Sequence, residues 1–411
     1  MKEADIIRAM DGVTFFWSQW SLTCTLSRFK PSREGMSAEL CVTMPLHGTL
    51  RTLTSGVVNL SALMTRDRLV KRLTELSDLV QWNIVVETVC VRGIIEYRRG
   101  EPWESLEPNE ADSPIKHILN PYVFEDEPTL IYGPGDSGKS FLALYWACLL
   151  ASGGMANGMA THPEGHTVLY LNWEMHAREM RSRVRQLRNG DARLTRAPLH
   201  RHCIGPLAEF APDLKNEIAE QGVGVVVVDS LVPATGGDAS GAEAPTRFFA
   251  ALASLRCASI LIGHVAKGEQ GKNNSVFGSV FYFNEARSVY EVKKVQEEES
   301  GSYRMALYHM KNNFGPKQRA TGFELTIDDQ CATVMAFDPA EDAYLSRGLP
   351  CHRQLESVMT LGMSYSLKEL AVELDVDEAT IQKTLKRYEG KKFIQTEQGV
   401  GRGNISRWER K

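Results

Sequence analysis

Residues 130–144 read LIYGPGDSGKSFLAL, an apolar run, a glycine-studded loop closing on Lys-Ser, and a second apolar run. The loop fits the pattern G-x-x-x-x-G-K-[ST] at Gly133, Gly138, Lys139 and Ser140. A loop of this kind wraps a polyphosphate with backbone N–H groups at a helix N-terminus, where the helix dipole also favours negative charge. Gly133, Gly135 and Gly138 allow the close backbone approach that side chains would block. Pro134, Asp136 and Ser137 complete the loop, and Phe141 follows it into the helix. Lys139 is placed to reach the β- and γ-phosphates, and the Ser140 hydroxyl to ligate Mg²⁺. The context agrees, with a strand expected at Thr129–Tyr132 and a helical run at Ser140–Ala151. The stretch predicts a nucleoside triphosphate site with ATP and Mg²⁺ as its cofactors.

The chain has 411 residues, and at about 150 residues per domain that suggests two or three domains. A hydrophobic fraction of 43% with 24% charged residues is that of an ordinary globular protein. The net charge of −4 leaves no chain-wide basic signal, so any nucleic-acid surface must be local. The longest apolar run, Phe141–Ala151, falls well short of the roughly 20 residues that span a bilayer, so no membrane partner is expected. The opening MKEADIIRAMDG is acidic and mixed where a signal peptide is basic and then apolar. The eight cysteines show no C-x-x-C pairing and no metal-like spacing, as in the core of a protein from a reducing cytoplasm.

Three regions separate on pattern: an N-terminal α+β domain over 1–108, an α/β core over 109–342 and a C-terminal module over 348–411. The first is expected to hold strands at Thr14–Trp20, Leu22–Phe29, Glu39–Met44 and Thr49–Leu60, then helices at Thr65–Leu79 and Gln81–Arg99. The stretch Gly100–Pro114, acidic and with three prolines, reads as a linker. From 115 on, apolar strands alternate with helical runs, the signature of a mostly parallel sheet covered by helices. Those strands are Thr129–Tyr132, Thr167–Asn172, Val223–Asp229 and Ser259–His264. A meander at Ser288–Lys294, Arg304–Lys311 and Thr321–Ile327 closes the core.

The run GVGVVVVDSL ends its strand in Asp229, the position of an acid that holds the Mg²⁺ shell. In AAA+ and transporter-type ATPases a catalytic Glu directly follows that Asp, but here the next residue is Ser230. A water-orienting carboxylate must come from elsewhere. VLYLNWEMHAREMRSRV supplies one: a strand, then Glu174 just past its end, then a basic amphipathic helix.

Taken together, the phosphate loop, the Trp-Glu pair, VVVVDS, and ILIGHVAKG followed by FGSVFYFNEARSVYEV resemble RepA-type hexameric helicases. These are a RecA/DnaB-like group of ATPases common on plasmids, phages and mobile elements. The resemblance covers about residues 113–335 and implies a RecA-like P-loop core. It implies that Glu174 sits on the strand neighbouring the phosphate loop's strand, and that His264 is a polar sensor between ATP and DNA. It also assigns YHMKNNFGPK to a turn that reaches a neighbouring subunit's ATP, with Lys311 and Gly315-Pro316 matching. Asn313 stands where that turn carries arginine, which leaves Lys311, Lys317 or Arg287 to supply the cation. A finger given in trans implies a homo-oligomeric ring or filament. The loop Lys267–Phe277 would line its pore, with Lys267 and Lys272 against DNA.

The C-terminal SYSLKELAVELDVDEATIQKTLKRYEGKKFIQTEQGVGRGNISRWER resembles a winged helix, with two helices about a turn at Asp375–Val376 and then strand, wing and strand. Residues 379–411 hold nine basic and three acidic side chains, a local excess that suits phosphate contact by Lys383, Lys386, Arg387 and Arg402. The expectation is an ATP-hydrolysing motor or switch acting on DNA in replication or recombination, with a non-translocating mediator or loader, or an ATP-regulated DNA-binding protein, as the alternatives. No N-K-x-D guanine motif is present.

Overall fold

The computed structural model describes residues 3–9, 12–46, 48–99, 103, 105–107, 115–238, 241–265, 280–296, 302–397 and 406–411. The chain divides into two compact units, Met1–Asp112 and Ser113–Lys411.

The first unit is an antiparallel meander of β1 (Asp5–Ala9), β2 (Gly12–Trp17), β3 (Leu22–Ser32), β4 (Gly35–Leu46) and β5 (Thr49–Asn59), followed by α1 (Leu63–Leu76) and α2 (Trp82–Arg99). Alternation along β2, β3 and β4 buries Phe15, Trp17, Leu26 and Leu40 on one face, and α1 and α2 cover that face with Leu73, Trp82 and Val86. α2 approaches closely at Gly93, where a Cβ would lie 2.2 Å from Leu26. The buried Glu96 carboxylate is met by Arg8 Nε at 2.7 Å and Arg99 at 2.9 Å. Several sequence expectations shift: β1 is an added strand, β3 and β4 run on to Ser32 and over Gly35–Leu46, α1 ends at Leu76, and β2 ends at Trp17 as the chain turns through Ser21 in the left-handed region (φ 48°).

The second unit begins with a small hairpin, β6 (His117–Leu119) and β7 (Val123–Phe124). The phosphate-loop strand β8 (Pro128–Gly133), α3 (Lys139–Ser152) and a second hairpin, β9 (Gly154–Ala156) and β10 (Met159–Thr161), follow. The core continues through β11 (Thr167–Asn172), α4 (Ala177–Gly190), β12 (Leu199–His202), α5 (Leu207–Gln221), β13 (Val223–Asp229), α6 (Leu231–Thr235), α7 (Glu243–Ser254) and β14 (Ala258–His264). It closes with α8 (Val280–Glu285), β15 (Ser288–Gln296), β16 (Ser302–Asn312), β17 (Thr321–Ile327) and β18 (Ala332–Phe337). These strands form one nine-stranded sheet in the order β12-β11-β13-β14-β8-β15-β16-β17-β18. From β12 to β15 neighbours are parallel, and from β15 to β18 antiparallel. α3 is apolar on every side and fully enclosed, as the length of its hydrophobic run required.

Strand order corrects one expectation. Glu174 follows β11, but the neighbours of β8 are β14 and β15, so β13 and β14 stand between Glu174's strand and the phosphate loop's. Local pattern identifies strands without ordering them.

After β18 the chain forms α9 (Cys351–Val358), β19 (Ser364–Ser366), α10 (Leu367–Leu374), α11 (Glu378–Arg387), β20 (Phe393–Glu397) and β21 (Arg407–Arg410), with the three strands in the order β19-β21-β20. Ser366 and Glu369 make a reciprocal cap on α10, and Asp377 caps α11. Asp375 turns between them in the left-handed region (φ 53°). The segment leading into this module sits against the core sheet: Leu345 and Leu349 cluster with Ala306 and Tyr308 of β16, and the Tyr308 hydroxyl donates to the Leu345 carbonyl, while Gln354 of α9 donates to the Leu349 carbonyl at 2.6 Å. All eight cysteines are free thiols. Among the described residues no helix is long and apolar enough to cross a membrane.

Candidate nucleotide site

β8 delivers the chain at Gly133 and α3 takes it up at Lys139, with Gly138 as its N-cap in the left-handed region (φ +80°). Glycine is required there on two counts. The φ disfavours other residues, and a Cβ would lie 2.4 Å from Met305 Cε and 2.7 Å from the Tyr303 ring. At Gly133 a Cβ would meet the Val292 carbonyl oxygen at 2.6 Å. The β15–β16 hairpin therefore backs the phosphate loop directly. Lys294 strengthens that contact by donating to the Asp136 carbonyl at 2.8 Å while lying 4.2 Å over the Tyr303 ring.

Lys139 folds back on its own loop, donating to the carbonyls of Gly133 (3.0 Å) and Pro134 (2.5 Å) and to Ser137 Oγ (3.0 Å). Burial lowers its pKa to about 8, against the opposing pull of Asp229, Glu174 and Asp136. Ser140 Oγ donates to Asp229 Oδ1 at 3.2 Å, so the two predicted Mg²⁺ ligands stand side by side. Asp229 is 1% exposed. Burial raises its pKa, opposed by hydrogen bonds from Tyr170 and Ser140. Two oxygen donors fit a Mg²⁺ ion that takes its remaining ligands from phosphate and water. No group of three or more His, Cys, Asp and Glu able to hold a metal occurs among the described residues, so the fit rests on this pair.

Glu174 is brought to the same place despite its distant strand. The buried Asn172 side chain accepts from the Glu174 N–H at 2.8 Å and the Met175 N–H at 2.7 Å, turning the chain sharply at the end of β11. Ser230 Oγ then donates to Glu174 Oε1 at 2.6 Å, and His264 Nε2 lies 3.9 Å from the same oxygen. The His264 ring and the Ser230 hydroxyl hold the Glu174 carboxyl below the usual range, with partial burial opposing. His264 ends β14 in register with Gly133, between the phosphate loop and Glu174. Lys139, Ser140, Glu174, Asp229 and His264 thus share the carboxyl ends of parallel strands, where open α/β sheets gather ligands.

Sequence reading missed several residues of this site. Tyr170 donates to Asp229 Oδ2 at 2.7 Å, but its alternation in an apolar strand reads as ordinary core. Asn172 sets a local turn, and Ser230, Lys294 and Tyr303 act through contacts that only the assembled sheet makes.

Lys311 lies elsewhere. Its Nζ donates to the carbonyls of Phe283 (3.1 Å), Asn284 (2.6 Å) and Ala286 (2.8 Å), closing the C-terminal end of α8 within its own subunit. Burial, and then Arg287, lower its pKa. Its neighbour Asn312 pairs with Ser288, which is level with Thr129 at the start of β8. Gly133 is at the other end of that strand, about 13 Å away at ~3.3 Å per residue. The expected loop with Lys267 and Lys272, and Arg402 of the wing, lie outside the described residues.

Residues 99–270 match the family model for an AAA domain. No curated protein matches the chain. Among solved structures, the crystal structure of the RadB recombinase is similar at 17% identity over 51% of this chain and 90% of that one, with a TM-score of 0.36. The loop, the paired Ser140 and Asp229, and the mixed, mostly parallel sheet give residues 115–337 the architecture of a phosphate-loop nucleotide-binding core.

Proposed function

We propose that the protein hydrolyses ATP and uses the cycle as a motor or switch on DNA, as a ring or filament of identical subunits. The observation that carries this reading is the Glu174 carboxylate, held by Ser230 and His264 beside the Ser140–Asp229 pair and Lys139. Lys139 would exchange its loop carbonyls for phosphate oxygens, and Glu174 would orient the attacking water and accept its proton. Mg²⁺ held by Ser140 and Asp229 would neutralise charge on the phosphates. Phosphate release measured with and without DNA tests the reading, and absence of turnover under both conditions would overturn it.

The C-terminal order of helix, strand, two helices and two strands supports a winged helix. α11 buries Ile381 and Leu385 and leaves Lys383, Lys386 and Arg387 exposed. Duplex affinity should fall by about 0.9 logarithmic units per phosphate neutralised for each tenfold rise in salt. Changing Lys383 and Arg387 to Glu should weaken duplex binding and flatten that slope, leaving DNA-independent turnover intact. Fluorescence anisotropy at several salt concentrations decides this, and an unchanged slope would make the module a protein-docking element.

The turn at residues 311–317 would meet an ATP on a neighbouring subunit, since its own site is at the other end of β8. Lys311→Ala should then lower turnover only in the assembled state, and mixing with Lys139→Ala subunits should restore part of it. No recovery at any ratio would confine Lys311 to capping α8. That capping, with Asn313 in the arginine position, also favours a second reading, a non-translocating ATPase that loads or mediates. Strand-displacement assays separate the two.

A further inference from the structure

The first unit has a sheet edge that is built to receive a strand. Among the described residues β5 pairs only with β4, so the hydrogen-bonding groups along its other side have no ladder partner there. Its sequence, TLRTLTSGVVN, has one charge, Arg51, and no proline over eleven residues. The opposite edge, β1, is five residues long and carries Asp5 and Arg8. Charges, prolines and shortness are how soluble proteins protect sheet edges, and β5 has almost none of them. It is also the more apolar edge outside the core, with Leu50 69% and Val57 72% exposed.

Beside this edge runs a groove of about 220 Å³ between β5 and α1. Its strand wall is Thr54–Val58, and its helix wall carries Arg68 and Arg72, the ionisable groups of the lining. Neither arginine has a hydrogen bond or ion pair among the described residues, whereas Arg66 on the same helix is held by Glu87 at 2.8 Å and by the Leu60 carbonyl. Arg68 and Arg72 are one turn apart on one side of α1, a separation of about 6 Å. Side chains two apart on an extended strand are spaced by about 6.7 Å.

We propose that this groove binds an extended acidic peptide of a partner protein, which adds a sixth strand at β5 and sets two carboxylates, two residues apart, against Arg68 and Arg72. Main-chain pairing would supply affinity and the two arginines the choice of sequence, as in other strand-addition complexes. A second copy of β5 fits less well, because it would bring a second Arg68 and Arg72 into a groove that already holds an unpaired positive pair.

The test uses the full chain and a fluorescein-labelled nonapeptide with two aspartates two residues apart in a Thr/Val background. Anisotropy should show saturable binding, and hydrogen exchange should show protection of amides within Arg51–Val58. Arg68→Glu with Arg72→Glu should weaken binding by at least about tenfold, with the melting temperature unchanged. Moving the aspartates three apart, or replacing them with lysine, should do the same, and so should N-methylation of one of the two alternate sets of peptide amides. The proposal is overturned by no binding at millimolar peptide, by binding indifferent to the arginine reversals, or by binding indifferent to both N-methylated sets. A concentration-dependent dimer that Val57→Lys dissolves would overturn it too, by assigning β5 to self-association. None of these readouts depends on nucleotide or DNA, so their failure leaves the ATPase reading untouched.

Discussion

Changing Glu174 to glutamine should leave ATP bound and slow its turnover by about 10²–10⁴-fold, the range usual for loss of a positioned proton acceptor. The amide is nearly isosteric and can still accept from Ser230 Oγ, 2.6 Å from the carboxylate in the parent. The turn set by Asn172 is unchanged, because it holds the backbone and not the carboxylate. What disappears is a basic oxygen able to take a proton from water. The comparison is phosphate release at saturating ATP against equilibrium binding of a fluorescent ATP analogue. Turnover near the parent rate would leave Glu174 as an acid leading into α4, stabilised by the helix dipole.

Changing Lys139 to alanine should act on binding itself. A charged hydrogen bond contributes about 1.5–3 kcal/mol, so losing one phosphate contact alone should cost about 10–100-fold in affinity. A distinctive pH dependence accompanies the parent. With Lys139 at about 8 in the empty site, the ammonium is present below that pH and binding takes up no proton. Above it, binding must first protonate the amine, so affinity should fall by about tenfold per pH unit. Lys139→Ala should lack this fall. Titration of the fluorescent analogue at pH 7, 8 and 9 measures both effects, and a pH-independent parent affinity would place the Lys139 pKa well above 9.

The parts of this protein legible in its sequence are those whose physics is local. Thr167–Asn172, Val223–Asp229 and Thr321–Ile327 were readable to the residue because apolar β-branched runs end at polar or turn residues. The phosphate loop was readable because each glycine has a backbone task. β12, LHRH, was not, since an edge strand of polar residues has the composition of a loop. β18 was missed where the predicted meander stopped one strand early. Of the candidate site, Lys139, Ser140, Asp229 and Glu174 were legible, because the proposed chemistry demands those residue types, and the fold brings them together. Tyr170 escaped because its partner, Asp229, lies across the sheet, and Asn172 because a polar strand end reads as a boundary and not as the turn that sets Glu174. Lys311 is the converse case: its motif position points to a neighbouring subunit's site, while within its own subunit it donates to three carbonyls at the end of α8.

β16 is a party wall. One side of it presents Tyr303 and Met305 to Gly138, so the phosphate loop rests on that strand. The other side receives Leu345 and Leu349 through Ala306 and Tyr308, so the segment that carries the C-terminal module rests on it too. Close-packed interiors are nearly incompressible and pass displacement on instead of absorbing it. A shift of the loop as it closes on phosphate must be met by the strand behind it, and the tenant on the far side of that strand is the segment that carries the C-terminal module.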